Sequence, residues 1–585
     1  MAGVGAARAR ESRTAIAGGL VLLAVALAYL PAILAGMGFV SDDFMILQRI
    51  RQADGLRGAA AFFGLPYYDY YRPLGFLSFA TDWSAWQDWP AGYHAVSLLL
   101  HLLNTLLVFL LARRLLGAGA AVTAAAIFGL HVANHEAVFW MSARFDLLAT
   151  ACALGALLAM GTLGPWRRGA VALLYLAALL SKESAVALPI AAGAHAWLIG
   201  RERTAGLARV FAWMGAAGLV YVVLRQASGL ASAGGPSRAP KLAALAALAA
   251  LQLALAHPGA ETARRWLVAR RHRLVAGAAI ALAALGVLSA VWTRAAAMRG
   301  VFSSLGFAAL HLASPISVDR WLVPLPWWIG LFGCAAAIAI VVASRWLAAH
   351  AEPMFLVFFL VAAIVPVSSM TEGPRYLYLA SVPVAMAAAW GLARLERRSA
   401  LVAHVLAAIV LVTFAWQVME KGRDWLWASG MTTRAVATIV EAAGPGCQGA
   451  DIVLATAPVR PRGVRANLNH EALAALGACR PASLRTLVRM GYDVPPVDAA
   501  WREDGLTLRT PAYAGGFMTS ADFQRYTAPI GRVAPTRLAN GFGAFEASPD
   551  GSALVITQTV SPADRAGHVW FVFSRAELRR VAPMP

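Results

Sequence analysis

Two adjacent carboxylates, Asp42 and Asp43, follow the first long apolar run of the chain. In an extended segment neighbouring side chains point to opposite faces, so one can face a site while the other orients the loop or binds a cation. Desolvation beside an apolar surface makes a carboxylate a better general base. A second cluster comprises His131, His135, Glu136, Arg144 and Asp146. His131 and His135 are four apart, which on a helix puts them on one face at a metal-ligand spacing. Either histidine alone reads best as a hydrogen-bonded packing residue, but five polar residues at one membrane depth point to a site. A third set lies where apolar runs end: Lys182 and Glu183, then Glu372, Arg375 and Tyr376. Cations at outer span ends oppose the positive-inside distribution. A phosphate held there explains them, whereas snorkelling to lipid headgroups does not need the partner carboxylates. The chemistry that fits is transfer of a group from a lipid phosphate carrier to an acceptor. The carrier phosphate is itself the leaving group, so no nucleotide fold is needed, and neither a Walker A motif nor a convincing dinucleotide fingerprint is present.

The elements that must position these residues follow from composition. Of 585 residues, 59% are hydrophobic and 14% charged, against about 45–50% and 25% in soluble domains. That excludes an ordinary soluble enzyme, a disordered chain and a disulfide-stapled scaffold. The net charge of +20 would suggest nucleic acid in a soluble protein. Here the arginines sit between apolar runs, where they hold loops on the cytoplasmic side. The length rule predicts about thirteen spans, near 14–37, 93–112, 119–135, 145–163, 169–181, 184–200, 205–225, 240–257, 274–293, 326–344, 354–370, 376–393 and 401–418. The first reads as an anchor rather than a cleaved signal peptide, with the N-terminus inside and the C-terminus outside. The aromatic-rich stretch 38–92 is a long outer loop with interfacial helices. A second outer loop, 294–325, holds His311, Asp319, Arg320 and Trp321.

The fold class expected is therefore a polytopic α-helical membrane domain, 1–425, followed by a small extracytoplasmic α/β domain, 426–585. Strands are predicted at 451–457, 553–560 and 568–573, and a helix at 471–476. Cys447 and Cys479 share an oxidising compartment in this arrangement and are a disulfide candidate. Cys152 and Cys334 lie in apolar runs as buried small hydrophobes. There is no CxxC and no combined Cys/His pattern with zinc spacing, so cysteine metal chemistry is not expected.

The order of motifs resembles a known family. Asp42-Asp43 is followed by Tyr71-Arg72-Pro73-Leu74, Tyr93-His94, Leu98 to His101 to Asn104, His131 to Asp146, Leu180 to Ser184, and Glu372 to Leu379. This succession is similar to the GT-C membrane glycosyltransferases, nearest to the transmembrane and tetratricopeptide-repeat O-mannosyltransferase type. The resemblance implies a polyprenyl-phosphate sugar donor and inverting transfer by a single displacement. It implies Asp42 as base, with Asp43 second, and Lys182, Arg375, Arg72 and Tyr376 on the departing phosphate. His131, His135, Glu136, Arg144, Asp146, Glu183 and Glu372 would shape the sugar or acceptor site. No cofactor is obligatory, with a divalent cation left open. The implied partners are the lipid-linked sugar, the bilayer and a glycan, lipid or protein acceptor, without nucleic acid. The implied location is a bacterial inner membrane with a periplasmic tail. The tail has no tetratricopeptide repeats, so sugar and acceptor stay open. A lipid-linked oligosaccharide ligase is one alternative. A secondary transporter is another, but transporters place ionisable residues at the midplane of repeated halves, and no such repeat is visible here.

Overall fold

The computed structural model describes residues 2–64, 70–160, 165–199, 203–228, 239–269, 308, 310–314, 351–364, 366, 373–458, 461–466, 468–490, 495–511, 517–519, 525–526, 536–540, 542–550, 553–575 and 577–582. They fall into two compact units: those of Met1–Ile33, Ile50–Val318 and Leu325–Lys421, and those of Leu34–Arg49 and Gly422–Pro585. The predicted spans 274–293 and 326–344, Cys334, Glu372 and residues 319–321 lie outside the described residues.

The first unit is helical. Its elements are α1 (Ala2–Leu34), α2 (Asp42–Gln52, which begins in the second unit), α3 (Ala61–Gly64), α4 (Pro73–Trp86), α5 (Pro90–Leu116), α6 (Ala118–Leu130), α7 (His135–Phe139), α8 (Arg144–Ala159), α9 (Pro165–Ser181) and α10 (Leu188–Leu198). Then come α11 (Arg203–Ala227), α12 (Ala239–Ala256), α13 (Glu261–Ala269), α14 (Ala351–Ile364), α15 (Ser381–Glu396) and α16 (Ala400–Ala443), whose residues after Lys421 belong to the second unit. In lipid every backbone polar group must be satisfied within the segment, which is why the apolar runs fold as helices. Among the described residues five are long and apolar enough to cross a membrane: Glu11–Leu34, Pro90–Leu116, Met141–Ala159, Ala205–Ala227 and Ala400–Ala443. The protein is a multi-pass membrane protein. Leu99, Leu103, Leu106 and Leu110 of α5 are exposed at helical spacing, a stripe suited to lipid. The opposite face packs closely. A Cβ on Gly129 of α6 would lie 2.4 Å from Val25 of α1, so a small residue lets the two backbones approach.

Several helix ends differ from the predicted spans. α6 stops at Leu130, where the His131 imidazole accepts a hydrogen bond from the Ala133 N–H and starts a 3-10 turn, Val132–Asn134. A short 3-10 turn, Pro374–Leu377, precedes α15, so the site residues there stand ahead of the helix. α16 runs 44 residues to Ala443, and the boundary drawn at 425 falls inside it. Cys152 is half-buried rather than enclosed.

The second unit contains the C-terminal α/β domain. Its strands are β1 (Asp451–Pro458), β2 (Ser483–Met490), β3 (Asp498–Trp501), β4 (Gly505–Pro511), β5 (Phe517–Thr519), β6 (Arg525–Tyr526), β7 (Thr536–Asn540), β8 (Gly543–Asp550), β9 (Ala553–Thr559), β10 (His568–Ser574) and β11 (Glu577–Arg580). The mixed sheet runs β11-β10-β1-β2-β5-β6 and the antiparallel sheet β3-β4-β9-β8-β7. Central β1 (Asp451–Pro458) pairs in parallel with β2 (Ser483–Met490) and with β10 (His568–Ser574). It is buried on both faces, as the apolar run Ile452–Ala455 requires. Helix α17 (His470–Gly477) connects β1 to β2. In the antiparallel sheet β4 (Gly505–Pro511) pairs with β9 (Ala553–Thr559). Trp501, Phe542 and Trp570 lie in the core cluster that joins both sheets. Cys447 and Cys479 are bonded across 32 residues, and both are fully buried. Thiol labelling of the unreduced, denatured protein is therefore expected to miss both, and ready labelling would refute the bond.

Candidate functional site

The first unit brings two cations, Lys182 and Arg375, to Tyr376, and pairs a third, Arg72, with Glu183 beside Lys182. Gly373 enters the 374–377 turn at φ +97°, where a Cβ would stand 2.4 Å from Arg375 Nη1 and 2.5 Å from Glu136 Oε2. Glycine there lets Glu136 grip the turn twice. Its Oε2 accepts from the Arg375 backbone N–H at 3.0 Å and its Oε1 from Nη1 at 2.9 Å. Arg375 Nη2 donates to the Tyr376 hydroxyl at 2.8 Å, and the guanidinium stacks between Trp140 and Tyr376, 4.5 and 4.3 Å from the ring centres. Below the turn Tyr378 is the anchor. Its hydroxyl is 2.7 Å from His101 Nδ1, and His101 Nε2 is 2.9 Å from the Gly129 carbonyl. A carbonyl only accepts, so Nε2 carries the proton and Nδ1 accepts from Tyr378. Gly373→Ala is expected to cost at least about 1–2 kcal/mol, since it adds left-handed strain to a clash. A lowered unfolding midpoint checks this.

On the other side of Tyr376, Lys182 Nζ stands 4.6 Å from the ring centre and pairs with Asp146 Oδ1. Lys182 is extended (φ −158°, ψ 134°), so it and Glu183 point apart. Glu183 turns instead to Arg72, whose Nε and Nη2 each lie 2.9 Å from its Oε2, while the Tyr71 N–H donates to Oε1 at 3.0 Å. The Arg72 guanidinium lies 4.1 Å from the Tyr70 ring centre. All three pairs are largely shielded from water. Burial alone would lift the Glu183 carboxyl; Arg72, joined by a backbone hydrogen bond and Arg225, outweighs it and holds the group below its ordinary range. Burial would also raise Tyr376, but Arg375 and Lys182 outweigh it, so the phenol is more acidic than usual. Burial, with Arg72 adding to it, lowers Lys182 against the pull of Asp146. The three cations and three carboxylates make a formally neutral cluster. A small cleft adjoins it, with Asp146, Thr150, Ser184 and Tyr376 on its wall.

The second unit holds the carboxylate pair, and the two residues differ. Asp43 Oδ2 accepts from the Val40 N–H at 3.0 Å while the Asp43 N–H donates to the Val40 carbonyl at 3.1 Å. Asp43 has no exposed surface. Asp42 is half-buried, and Ser41 Oγ donates to its Oδ1 at 3.2 Å. Asp43 thus ties the loop to the start of α2, and Asp42 keeps access to solvent.

No known family model matches the chain. Over 190 residues the chain is 37% identical to Protein O-mannosyl-transferase Tmtc1 of Drosophila melanogaster, covering 28% of this chain and 21% of that protein. Over 175 residues it is 35% identical to Tmtc2 of the same organism, covering 26% and 18%. Over these stretches the chain is similar to the Tmtc proteins. The matches span about a fifth of those proteins' length. Among solved structures, an Archaeoglobus fulgidus oligosaccharyltransferase tethered to an acceptor peptide aligns with a TM-score of 0.45 at 12% identity, over 80% of this chain and 64% of that one.

Of the site residues predicted from the sequence, Arg72, Glu136, Asp146, Lys182, Glu183, Arg375 and Tyr376 come together. Arg144 does not join them. It is fully buried and donates to Ser97, Ser78 and the Tyr93 carbonyl while pairing with Asp82, so it straps α8 to α4 and α5. His131 caps its turn, lies 3.2 Å from the Leu312 carbonyl through Nε2, and packs on Phe414. The chain turns between His131 and His135, so their spacing is not that of one helix face. Among the described residues no three His, Cys, Asp or Glu side chains meet as a metal site. Sequence reasoning assigned no role to Asp82, Tyr70, Trp140, His101 or Asn104. Asn104 donates to both Tyr378 and the Leu147 carbonyl. A polar residue inside an apolar span is the signal that marks His101 and Asn104.

Proposed function

We propose that this protein is a GT-C-type membrane glycosyltransferase. It moves a sugar from a polyprenyl-phosphate carrier to an acceptor hydroxyl on the outer face of the membrane, with inversion. The observation that carries the reading is the placement of Lys182 and Arg375 on the Tyr376 ring, with Arg72 held by Glu183, the residue after Lys182. The relatives' O-mannosyltransferase names support the reaction class and make mannose the first sugar to test. The acceptor oxygen attacks the anomeric carbon as its proton passes to Asp42, and the bond from that carbon to the phosphate oxygen breaks. The electron pair leaves with the phosphate. A phosphodiester with one negative charge becomes a monoester with two, so cations there stabilise departure more than binding. Glu136, Asp146 and Glu183 hold the cations in place; they, rather than a bound anion, offset the cost of burying charge. The Tyr376 hydroxyl accepts from Arg375 and has its own proton to donate, and its raised acidity strengthens that bond. The base role of Asp42 rests on its place after the first span and its access to solvent. The bonded Cys447–Cys479 pair fits a tail in the periplasm of a bacterial inner membrane.

The test is reconstitution with polyprenyl-phosphate mannose, following release of lipid phosphate on adding candidate acceptors. Lys182→Met is expected to slow release by about tenfold or more. Transfer of preassembled glycans alone would indicate a ligase, and solute uptake without lipid-phosphate release a transporter. The mass change of outer-surface glycans and proteins on deleting the gene would identify the acceptor.

A further inference from the structure

We propose that Asn469, in the C-terminal domain, is a positioning residue for Asp42; its catalytic consequence rests on the base role assigned above. Ser41 has φ +50°, a left-handed conformation that a serine holds only when its surroundings enforce it. Two hydrogen bonds from the chain beyond residue 421 enforce it. Gly38 N–H donates to Ser429 Oγ at 3.1 Å, and Asn469 Nδ2 donates to the Ser41 carbonyl at 3.3 Å. The second bond fixes the peptide plane between Ser41 and Asp42, and with it the direction in which the Asp42 side chain leaves the backbone.

The orientation of the Asn469 amide is dictated by its other end. Asn469 is the N-cap of α17, and its Oδ1 accepts from the Ala472 N–H at 2.8 Å. An N–H requires an acceptor, so the oxygen faces Ala472 and the NH2 group faces Ser41. One side chain therefore joins the start of α17 to the loop that carries Asp42. Cys479, two residues beyond α17, is bonded to Cys447, which steadies the far end of the helix. The tail domain thus sets the geometry of the candidate base.

The two ends of the amide can be separated. Asn469→Asp retains an acceptor for Ala472 and caps a helix as well as asparagine does, but it replaces the donor to Ser41 with a second acceptor. In the full-length protein, hydrogen exchange of the 38–44 amides is expected to quicken about tenfold, the equivalent of one lost hydrogen bond, while the amides of 471–477 stay protected. With polyprenyl-phosphate mannose, kcat should fall by about tenfold and the donor KM should hold. Asn469→Ala, which loses the cap as well, should expose both segments. Unchanged exchange in 38–44 with Asn469→Asp would overturn the contact, and unchanged kcat would overturn its positioning role. If Asp42→Asn turned over at the wild-type rate, the base assignment would fail instead, and the exchange measurement would still decide the contact.

Discussion

Arg375→Ala is expected to slow release of lipid phosphate by about 10²–10³-fold, the usual effect of removing one donor from a developing negative charge. The reason is the number of tasks that meet in this guanidinium. It donates to Glu136 and to Tyr376 and lies between two aromatic rings. Removing it also takes the guanidinium cation away from Glu136, a charge that is 1% exposed. Breaking such a pair costs about 3–5 kcal/mol, so alanine alone would confuse misfolding with lost chemistry. Arg375→Lys separates them. It keeps the positive charge beside Glu136 but cannot fork to two acceptors, so it should fold normally and still lose about tenfold in rate. The loss in both variants should follow donor concentration and not acceptor concentration. A variant that folds and is impaired only in its use of acceptor would remove Arg375 from the phosphate site.

The cations of this cluster were legible in the sequence because charge at the end of an apolar run is costly and needs a reason. Their pairing was not. Lys182 and Glu183 stand side by side and read as partners, yet an extended backbone turns them apart. Lys182 meets Asp146, 36 residues away, and Glu183 meets Arg72, 111 residues away. Separations of that size are set by helix packing, which no local pattern encodes. Arg144 read as part of the site for the same reason as the others, but its partner Asp82 sits in a run with no motif. Only the packing of α8 against α4 and α5 shows that the pair is a strap. Long apolar helices such as α5 and α8 were visible from length alone. The part of α16 beyond 418 was not, because its charged and polar residues read as the start of a soluble tail while the backbone continues as helix. In the tail, β1, β9 and β10 announced themselves by apolar runs. β2 interrupts its apolar residues with Arg485, Thr486 and Arg489, which leaves a weaker mark.

The two neighbouring aspartates should part company when each is replaced by asparagine. Asp42→Asn is expected to lower turnover by about 10²–10⁴-fold, the range for loss of a general base, with little change in stability. Asparagine keeps the shape and the oxygen that accepts from Ser41, and the position is half-buried, so little packing is at stake. Asp43→Asn should do the reverse. Its carboxylate caps the Val40 N–H at the start of α2, where a negative charge is favoured by the helix dipole. Loss of that charge should cost about 0.3–1 kcal/mol, read as a lowered unfolding midpoint, with turnover within a few-fold of wild type. Initial rates at saturating donor, measured beside thermal unfolding of the same samples, distinguish the two. If instead Asp43→Asn abolished turnover in a protein that unfolds like wild type, the proton would have to leave by way of the buried residue, and the roles assigned to the pair would be exchanged.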